Sequence, residues 1–334
     1  MSENNRCKVV MSGIGHHHAE GVMDELRKNG NFEVVGLVED NDDTYQQNKD
    51  KNAFKNIKRL DYSQVIADSS IDGIIIETEM EKLVEEASRY MEKKCPLHID
   101  KPAGLNYEDF ESFIKKVKKD DIKIQMGYMY RYNPAVQESM KLKEEMGDIY
   151  EVDAVMNTEQ DINFRKWLAE YPAGTMFVFG CHMIDLILMM QGEPKQLYSF
   201  NKQSGFDGVK VDDVDLAVLE YANGTSTARV TSVEVNGYGR RQLVVCGEKA
   251  TIEIRPLENT VKMTYAKKSK DRNPYKDEKE EIDLTKYNLS KGRYTDMMDD
   301  FAKIIRGESD LIYPVDLDYE LTLQKTILKA CECK

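Results

Sequence analysis

The sequence of 334 residues predicts an α/β protein in which a doubly wound parallel sheet is followed by an α+β domain on an open, largely antiparallel sheet. Three observations predict it. Up to about residue 126, short apolar β runs alternate with amphipathic helical runs, the grammar of βαβ units. Beyond it come two long helical stretches and then, over Leu197–Leu284, a series of β runs broken by turn residues, as in an antiparallel sheet. At roughly 150 residues per domain, the length holds two such cores.

Taken in order, Lys8–Met11 is a β run, and a glycine-rich turn leads into a helix over Ala19–Asn29, where Val22, Met23 and Leu26 share a face and Gly30 is expected to close the end. Phe32–Val38 and Asp72–Ile76 are strands. Glu81–Lys94 is a helix with Leu83, Val84, Ala87, Tyr90 and Met91 on one face. Leu97–Ile99 is a strand, Asn106 is an N-cap for a helix carrying Phe110, Phe113, Ile114 and Val117, and Ile122–Met126 is a further strand. Then come a helix from Pro134 to about Met146, the strand Ile149–Asn157 and a helix from about Thr175 to Gln191. Asn223-Gly224 predicts a type I′ hairpin turn and Gly247-Glu248 another turn. The charge-dense stretch Lys267–Glu281 is expected to be a mobile solvated loop, and helices over Tyr294–Arg306, ended by Gly307, and Asp316–Cys333 close the chain. The expected division is a dinucleotide domain over 1–125, an α+β substrate and oligomerisation domain over 126–315, and a C-terminal helix over 316–334 that packs back toward the first domain.

Composition narrows the function classes. The net charge is −13, and it is spread evenly, with 19 basic and 25 acidic residues in 1–125 and 28 and 35 in 126–334. Neither part is a basic arm, which argues against nucleic-acid partners. No apolar run reaches the ~18 residues that span a bilayer, and the polar start Met1–Arg6 carries no leader signature. Six cysteines without metal or disulfide spacing read as reduced thiols, so a cytoplasmic protein is expected.

Met11-Ser12-Gly13-Ile14-Gly15-His16-His17-His18-Ala19 follows a strand and opens a helix, the setting of a dinucleotide-binding turn. Its glycines let a diphosphate approach the helix N-terminus, where free N–H groups and the dipole favour an anion. The third glycine of the usual pattern is replaced by His18. Val38-Glu39-Asp40 ends the second strand, so the carboxylates would bind the adenosine ribose and repel a 2′-phosphate, favouring NAD over NADP. The three histidines have no carboxylate or cysteine at ligand spacing, so no metal site is expected.

Three further segments concentrate polar groups: His98-Ile99-Asp100-Lys101-Pro102, Gly127-Tyr128-Met129-Tyr130-Arg131-Tyr132-Asn133-Pro134, and Gly180-Cys181-His182-Met183-Ile184-Asp185, whose His182 and Asp185 share one helix face. With the glycine turn and the acidic strand end, and in this order, they make nearly the whole chain resemble the Gfo/Idh/MocA oxidoreductases. The resemblance implies a Rossmann domain and a C-terminal α+β domain whose sheet forms a homodimer or homotetramer, and hydride transfer between NAD(P) and a secondary alcohol of a sugar, cyclitol or polyol. It places Lys101 on the reacting hydroxyl and His182 as its general base. Asp185 would orient the helix or the imidazole, and Tyr128, Arg131 and Asn133 would border substrate. Gly13, Ile14, Gly15, His16, Glu39, Asp40, Thr78, Glu79, Asp100 and Lys101 would line the cofactor.

Two departures stand out. Val178 occupies the position, one turn before the histidine, where many polyol dehydrogenases of this kind carry an aspartate, and Thr78 is followed by Glu79-Met80 instead of Pro-Asn. The first keeps open an NAD-dependent glycosidase that oxidises C3 transiently and returns the hydride, and a silent NAD-binding regulator is a third reading.

Overall fold

The computed structural model describes residues 6–269 and 278–333. The chain forms two compact units, one made of 1–132 with 291–321 and the other of 133–290 with 322–334. The polypeptide therefore returns to the first unit after completing most of the second, a path that no local signal in the sequence marks.

Among the described residues, the first unit holds a five-stranded parallel sheet built from β1 (Cys7–Ser12), β2 (Phe32–Val38), β3 (Gly73–Ile76), β4 (Leu97–Ile99) and β5 (Ile124–Met126). Their spatial order is β2-β1-β3-β4-β5, with every pair parallel. Strand order reverses between β1 and β3, and open parallel sheets bind ligands at the carboxyl ends of strands beside such a reversal. Helix α1 (Ala19–Lys28) buries Ala19, Val22, Met23 and Leu26. It ends on Asn29 at φ −76°, directly before Gly30, which has no positive φ. Two short helices, α2 (Asp42–Asn48) and α3 (Tyr62–Ala67), follow β2. The stretch after β3 is one 3₁₀ turn, helix α4 (Leu83–Arg89) and another 3₁₀ turn. Asn106 caps α5 (Tyr107–Asp120) by accepting from the amides of Glu108 and Asp109, as its sequence predicts.

In the second unit, α6 (Pro134–Leu142) and a 3₁₀ turn to Met146 precede an eight-stranded sheet ordered β13-β12-β11-β10-β6-β9-β8-β7. The strands are β6 (Ile149–Asn157), β7 (Gln196–Lys202), β8 (Val214–Glu220), β9 (Thr225–Thr231), β10 (Gln242–Gly247), β11 (Ala250–Ile254), β12 (Lys262–Lys267) and β13 (Glu278–Asp283). All neighbours are antiparallel except β6 and β9. The hairpin at Asn223-Gly224 forms, but no residue of 221–224 has positive φ, so its turn is not type I′. Lys267 and Glu278–Glu281, expected in a loop, lie in paired strands, because Lys262 and Lys267 meet Glu281 and Glu280 across β12 and β13; residues 270–277 of that stretch lie outside the described residues. Helices α7 (Ile162–Leu168) and α8 (Cys181–Gln191) complete this unit's core, α8 being entered through a π-helical turn at Met176–Gly180. Helix α9 (Thr295–Arg306), closed by Gly307 at φ +70°, belongs to the first unit, and α10 (Leu317–Ala330) is divided between the two. None of the described helices is long and apolar enough to cross a membrane.

Candidate functional site

The carboxyl ends of β1, β3 and β4 each continue directly into polar residues: Gly13 to His18 after β1, Glu77-Thr78-Glu79 after β3, and Asp100-Lys101 after β4. Because the three strands are parallel neighbours, these segments gather at one edge of the sheet. Gly13 has φ +78°, and a Cβ there would lie 2.5 Å from the Thr78 backbone, so only glycine lets the turn close against β3. A Cβ on Gly15 would lie 2.6 Å from the Glu79 carboxyl carbon. Two clefts of about 360 and 290 Å³ flank this turn. Gly13, Glu39, Asp40, Thr78 and Arg89 help line the first, Ile14, Gly15, His16, His17 and Lys51 the second, and Glu79 reaches both. A turn closed to any Cβ at Gly13, opening on both sides at a helix N-terminus, fits a dinucleotide diphosphate.

Glu39 accepts from the Ile14 amide at 3.0 Å and the Asn41 amide at 2.9 Å, linking the acidic end of β2 to the glycine turn. Burial raises its pKa above the usual value. Asp40 is paired with Arg89 at 2.8 Å. Thr78 donates its hydroxyl to Glu79 at 2.7 Å. Burial alone would raise Glu79, but Thr78 and Lys82 bring it below the ordinary carboxylate value.

Beneath the turn lies a second, fully buried group. His16 Nε2 faces the Lys101 carbonyl at 3.1 Å, which can only accept, so Nε2 carries the proton, and Nδ1 receives the His18 amide at 3.1 Å. That same Nδ1 stands 3.1 Å from Asp100 Oδ2 and 3.5 Å from Glu77 Oε2. His18 Nδ1 is 3.0 Å from Asp100 Oδ2. On the far side, His98 Nδ1 donates to Gln125 Oε1 at 2.8 Å, which leaves its Nε2 as a bare acceptor 4.0 Å from Glu77 Oε1. Gln125 is oriented by donating to Tyr132 and the Met297 carbonyl. Glu77 has no exposed surface, and its carboxyl faces Asp100, His16 Nδ1 and His98 Nε2. Its pKa is raised well above the usual value, by burial first and then by the charge of Asp100. Burial would raise Asp100 too, but His16 and His18 hold it well below the carboxylate range. Burial lowers His18 to about 3 and lowers His98, so both imidazoles are neutral near pH 7. Gly127 makes room for Asp100, because a Cβ there would lie 2.8 Å from Oδ1.

The other expected site residues are distributed as follows. Lys101, with no exposed surface, ends the β4 segment in the first unit. Tyr128 and Arg131 are buried in the same unit, where Arg131 makes a two-toothed pair with Glu320 at 2.5 and 3.0 Å and its guanidinium lies over the rings of Tyr128, Tyr313 and Tyr319. Asn133 belongs to the second unit, where it caps α6 and donates to the Leu257 carbonyl. His182 and Asp185 are each 1% exposed on α8 in the second unit, and Val178 is buried in the π-helical turn before them. Glu77 is not marked by the sequence reading, and His98 enters it only as the first residue of the His98–Pro102 segment, without a role. The only trace of them there is a polar residue at the end of, or inside, an otherwise apolar β run.

This fold and this turn define the class as a nucleotide-binding Rossmann oxidoreductase. The chain belongs to the Gfo/Idh/MocA family: the family's NAD-binding Rossmann domain matches residues 7–128 and its C-terminal domain matches residues 139–253. Among curated proteins, none matches in sequence. Among solved structures, an Agrobacterium radiobacter oxidoreductase in complex with NAD+, L-tartaric acid and magnesium is 16% identical with a TM-score of 0.80, over 98% of this chain and 96% of that one. UDP-N-acetylglucosamine 3-dehydrogenase from Acidithiobacillus ferrooxidans is 14% identical with a TM-score of 0.79 (98% and 97% covered). A levoglucosan dehydrogenase complex with NADH and levoglucosan is 17% identical with a TM-score of 0.77 (98% and 97%). At these identities the likeness establishes the fold.

Proposed function

We propose that the chain transfers a hydride between NAD and a secondary hydroxyl of a sugar, cyclitol or related polyol. The observation that carries this reading is Lys101, a lysine with no exposed surface at the carboxyl edge of a parallel sheet, beside a dinucleotide turn. Bound nicotinamide would supply the hydride acceptor. Lys101 would donate to the reacting oxygen and stabilise alkoxide character, an effect larger in a dry site than in water. His182 would take the hydroxyl proton, with Asp185 orienting it. Tyr128 would border substrate, held in place by the Arg131 guanidinium over its ring. The sugar substrates named for two structural neighbours support the substrate class.

Glu39 and Asp40 favour NAD, because a 2′-phosphate beside two carboxylates would be repelled. The exposed Tyr198, Phe200 and Val214 on β7 and β8 support association through the second sheet as a homodimer or homotetramer. The domain roles follow: cofactor in the first unit, substrate and association in the second.

The test is purified protein with NAD and a panel of hexoses, inositols and glycosides, followed by the absorbance of reduced nicotinamide. Turnover with a panel member is expected, and Lys101→Met should lower kcat by about 100- to 1000-fold. Binding of NAD without reduction by any of them overturns the proposal. Glu39→Gln should weaken the preference for NAD over NADP by about tenfold, the worth of one charged hydrogen bond. Val178, in place of an acid one turn before His182, favours a second reading, the glycosidase, which would release aglycone with no net NADH.

A further inference from the structure

The cluster below the glycine turn contains more lone pairs than protons. His16 Nδ1, His98 Nε2, Asp100 Oδ2 and both Glu77 oxygens are acceptors in a space closed to water. Donors reach part of it: the His18 amide meets His16 Nδ1, the Lys101 amide meets Asp100 Oδ1 at 2.6 Å, and a neutral His18 places its one ring proton. A proton on Glu77 satisfies one further acceptor. A buried acid is costly to ionise unless something positive is shared among these groups, and Lys101 supplies part of that charge.

We propose that His16, His18 and Asp100 form a binding site for a divalent transition-metal ion, Zn²⁺, with Glu77 beside its open coordination position. Three features support it. His16 Nδ1, His18 Nδ1 and an Asp100 oxygen lie within 4.8 Å of one another and are all buried. Two of their separations, 3.1 and 3.0 Å, approach the roughly 3.3–3.6 Å between neighbouring ligands in a tetrahedral zinc centre with bonds of about 2.0–2.2 Å, so tenths of an ångström of opening would admit the ion. Two imidazole nitrogens favour zinc over magnesium or calcium, which take oxygen ligands. The partner that orients a metal-binding imidazole is in place as well: His16 Nε2 donates to the Lys101 carbonyl, the bond that fixes the tautomer a metal-bound Nδ1 requires. Binding would displace the His18 amide from His16 Nδ1. The ion would tie the entrance of α1 to the end of β4, next to Lys101. The proposal stands independently of the hydride-transfer reading.

The experiment uses the full chain, stripped with a chelator and titrated with Zn²⁺ alone, with no dinucleotide present. One equivalent per chain is expected, and His18→Gln and Asp100→Asn should each weaken it by about tenfold or more, at least the loss caused by removing an outer partner. Zinc-edge X-ray absorption of the wild-type protein, which depends on no variant folding, should show imidazole and oxygen neighbours. Absence of stoichiometric uptake by folded wild-type protein overturns the proposal, as do sulfur ligands at the zinc edge or equal uptake by folded variants. NAD binding measured separately distinguishes this outcome from failure of the oxidoreductase reading.

Discussion

In the second unit, Arg165 on α7 gives one terminal nitrogen to Asp207 at 2.9 Å and the other to Asp213 at 2.8 Å, with the Phe206 carbonyl at 3.0 Å, while Arg241 is paired with Glu258 and the Asn157 carbonyl. In the first unit, at the edge of the parallel sheet, His16, His18, His98, Glu77 and Asp100 are equally buried but share acceptors without a matching set of donors. The difference separates two uses of buried polarity. Fixed opposite charges that answer one another hold β8 and the loops around it in place, with the Arg165 Nε outside those bonds. A cluster whose requirements are left partly open is arranged for something other than packing, and it lies where a parallel sheet binds ligands.

The contrast breaks most visibly at Arg165. Removing it takes the cation from Asp213, which has no exposed surface and keeps the Ser204 amide and hydroxyl, so Arg165→Met should destabilise the protein by about 3 kcal/mol in urea unfolding. A loss below about 1 kcal/mol would show that the pair does no more than the open cluster.

A second effect, spread gradually over pH, concerns Asp215 on β8. It accepts from the amides of Met176 and Lys202 yet is pushed up to about 8, mainly by burial and then by Asp212 and Asp213. Its folded value lies above the ordinary 3.8, so the folded chain holds this proton more tightly than the unfolded chain does. Stability from this group is therefore complete below about pH 3.8 and is lost as pH rises toward about 8, by at most about 1.4 kcal/mol per pH unit. Urea midpoints measured across that window should fall more steeply in the wild type than in Asp215→Asn, and parallel curves would refute the assignment.

The smallest effect is expected at Glu77. Burial and the neighbouring Asp100 push this carboxyl well above its ordinary value, and an amide in its place brings donors toward His16 Nδ1 and Asp100. Glu77→Gln should change stability by less than about 1 kcal/mol, in sharp contrast with Arg165. A loss of several kcal/mol would mean that Glu77 is a compensated partner and that the two regions obey the same rule.

Much of the fold was legible because its determinants are local. Phe32–Val38, Leu97–Ile99 and Ile149–Asn157 form where apolar β runs predict them, and Asn106 caps α5 with its own side-chain oxygen. Asn223-Gly224 departs from a type I′ turn because a glycine permits a left-handed backbone without requiring one. The strand β13 was misread because Glu278–Glu281 carry no apolar alternation; their order comes from pairing with β12. In the site, the glycine turn and the acid at the end of β2 were legible, since both follow from spacing along one βαβ unit. Arg131 and Asn133 were expected beside substrate, and their visible commitments are to Glu320 and to the cap of α6.

The sequence alone determined the alternation that makes a parallel sheet, the glycine turn, the carboxylate that answers it, and the family to which these belong. Only the tertiary structure decided that His16 and His18 face Asp100, 82 positions beyond His18, and that Glu77 is buried among them. The physical reason is that the parallel order β2-β1-β3-β4-β5 brings the ends of β1, β3 and β4 to one edge. Ligand spacing within a single segment carries no trace of a site assembled from three.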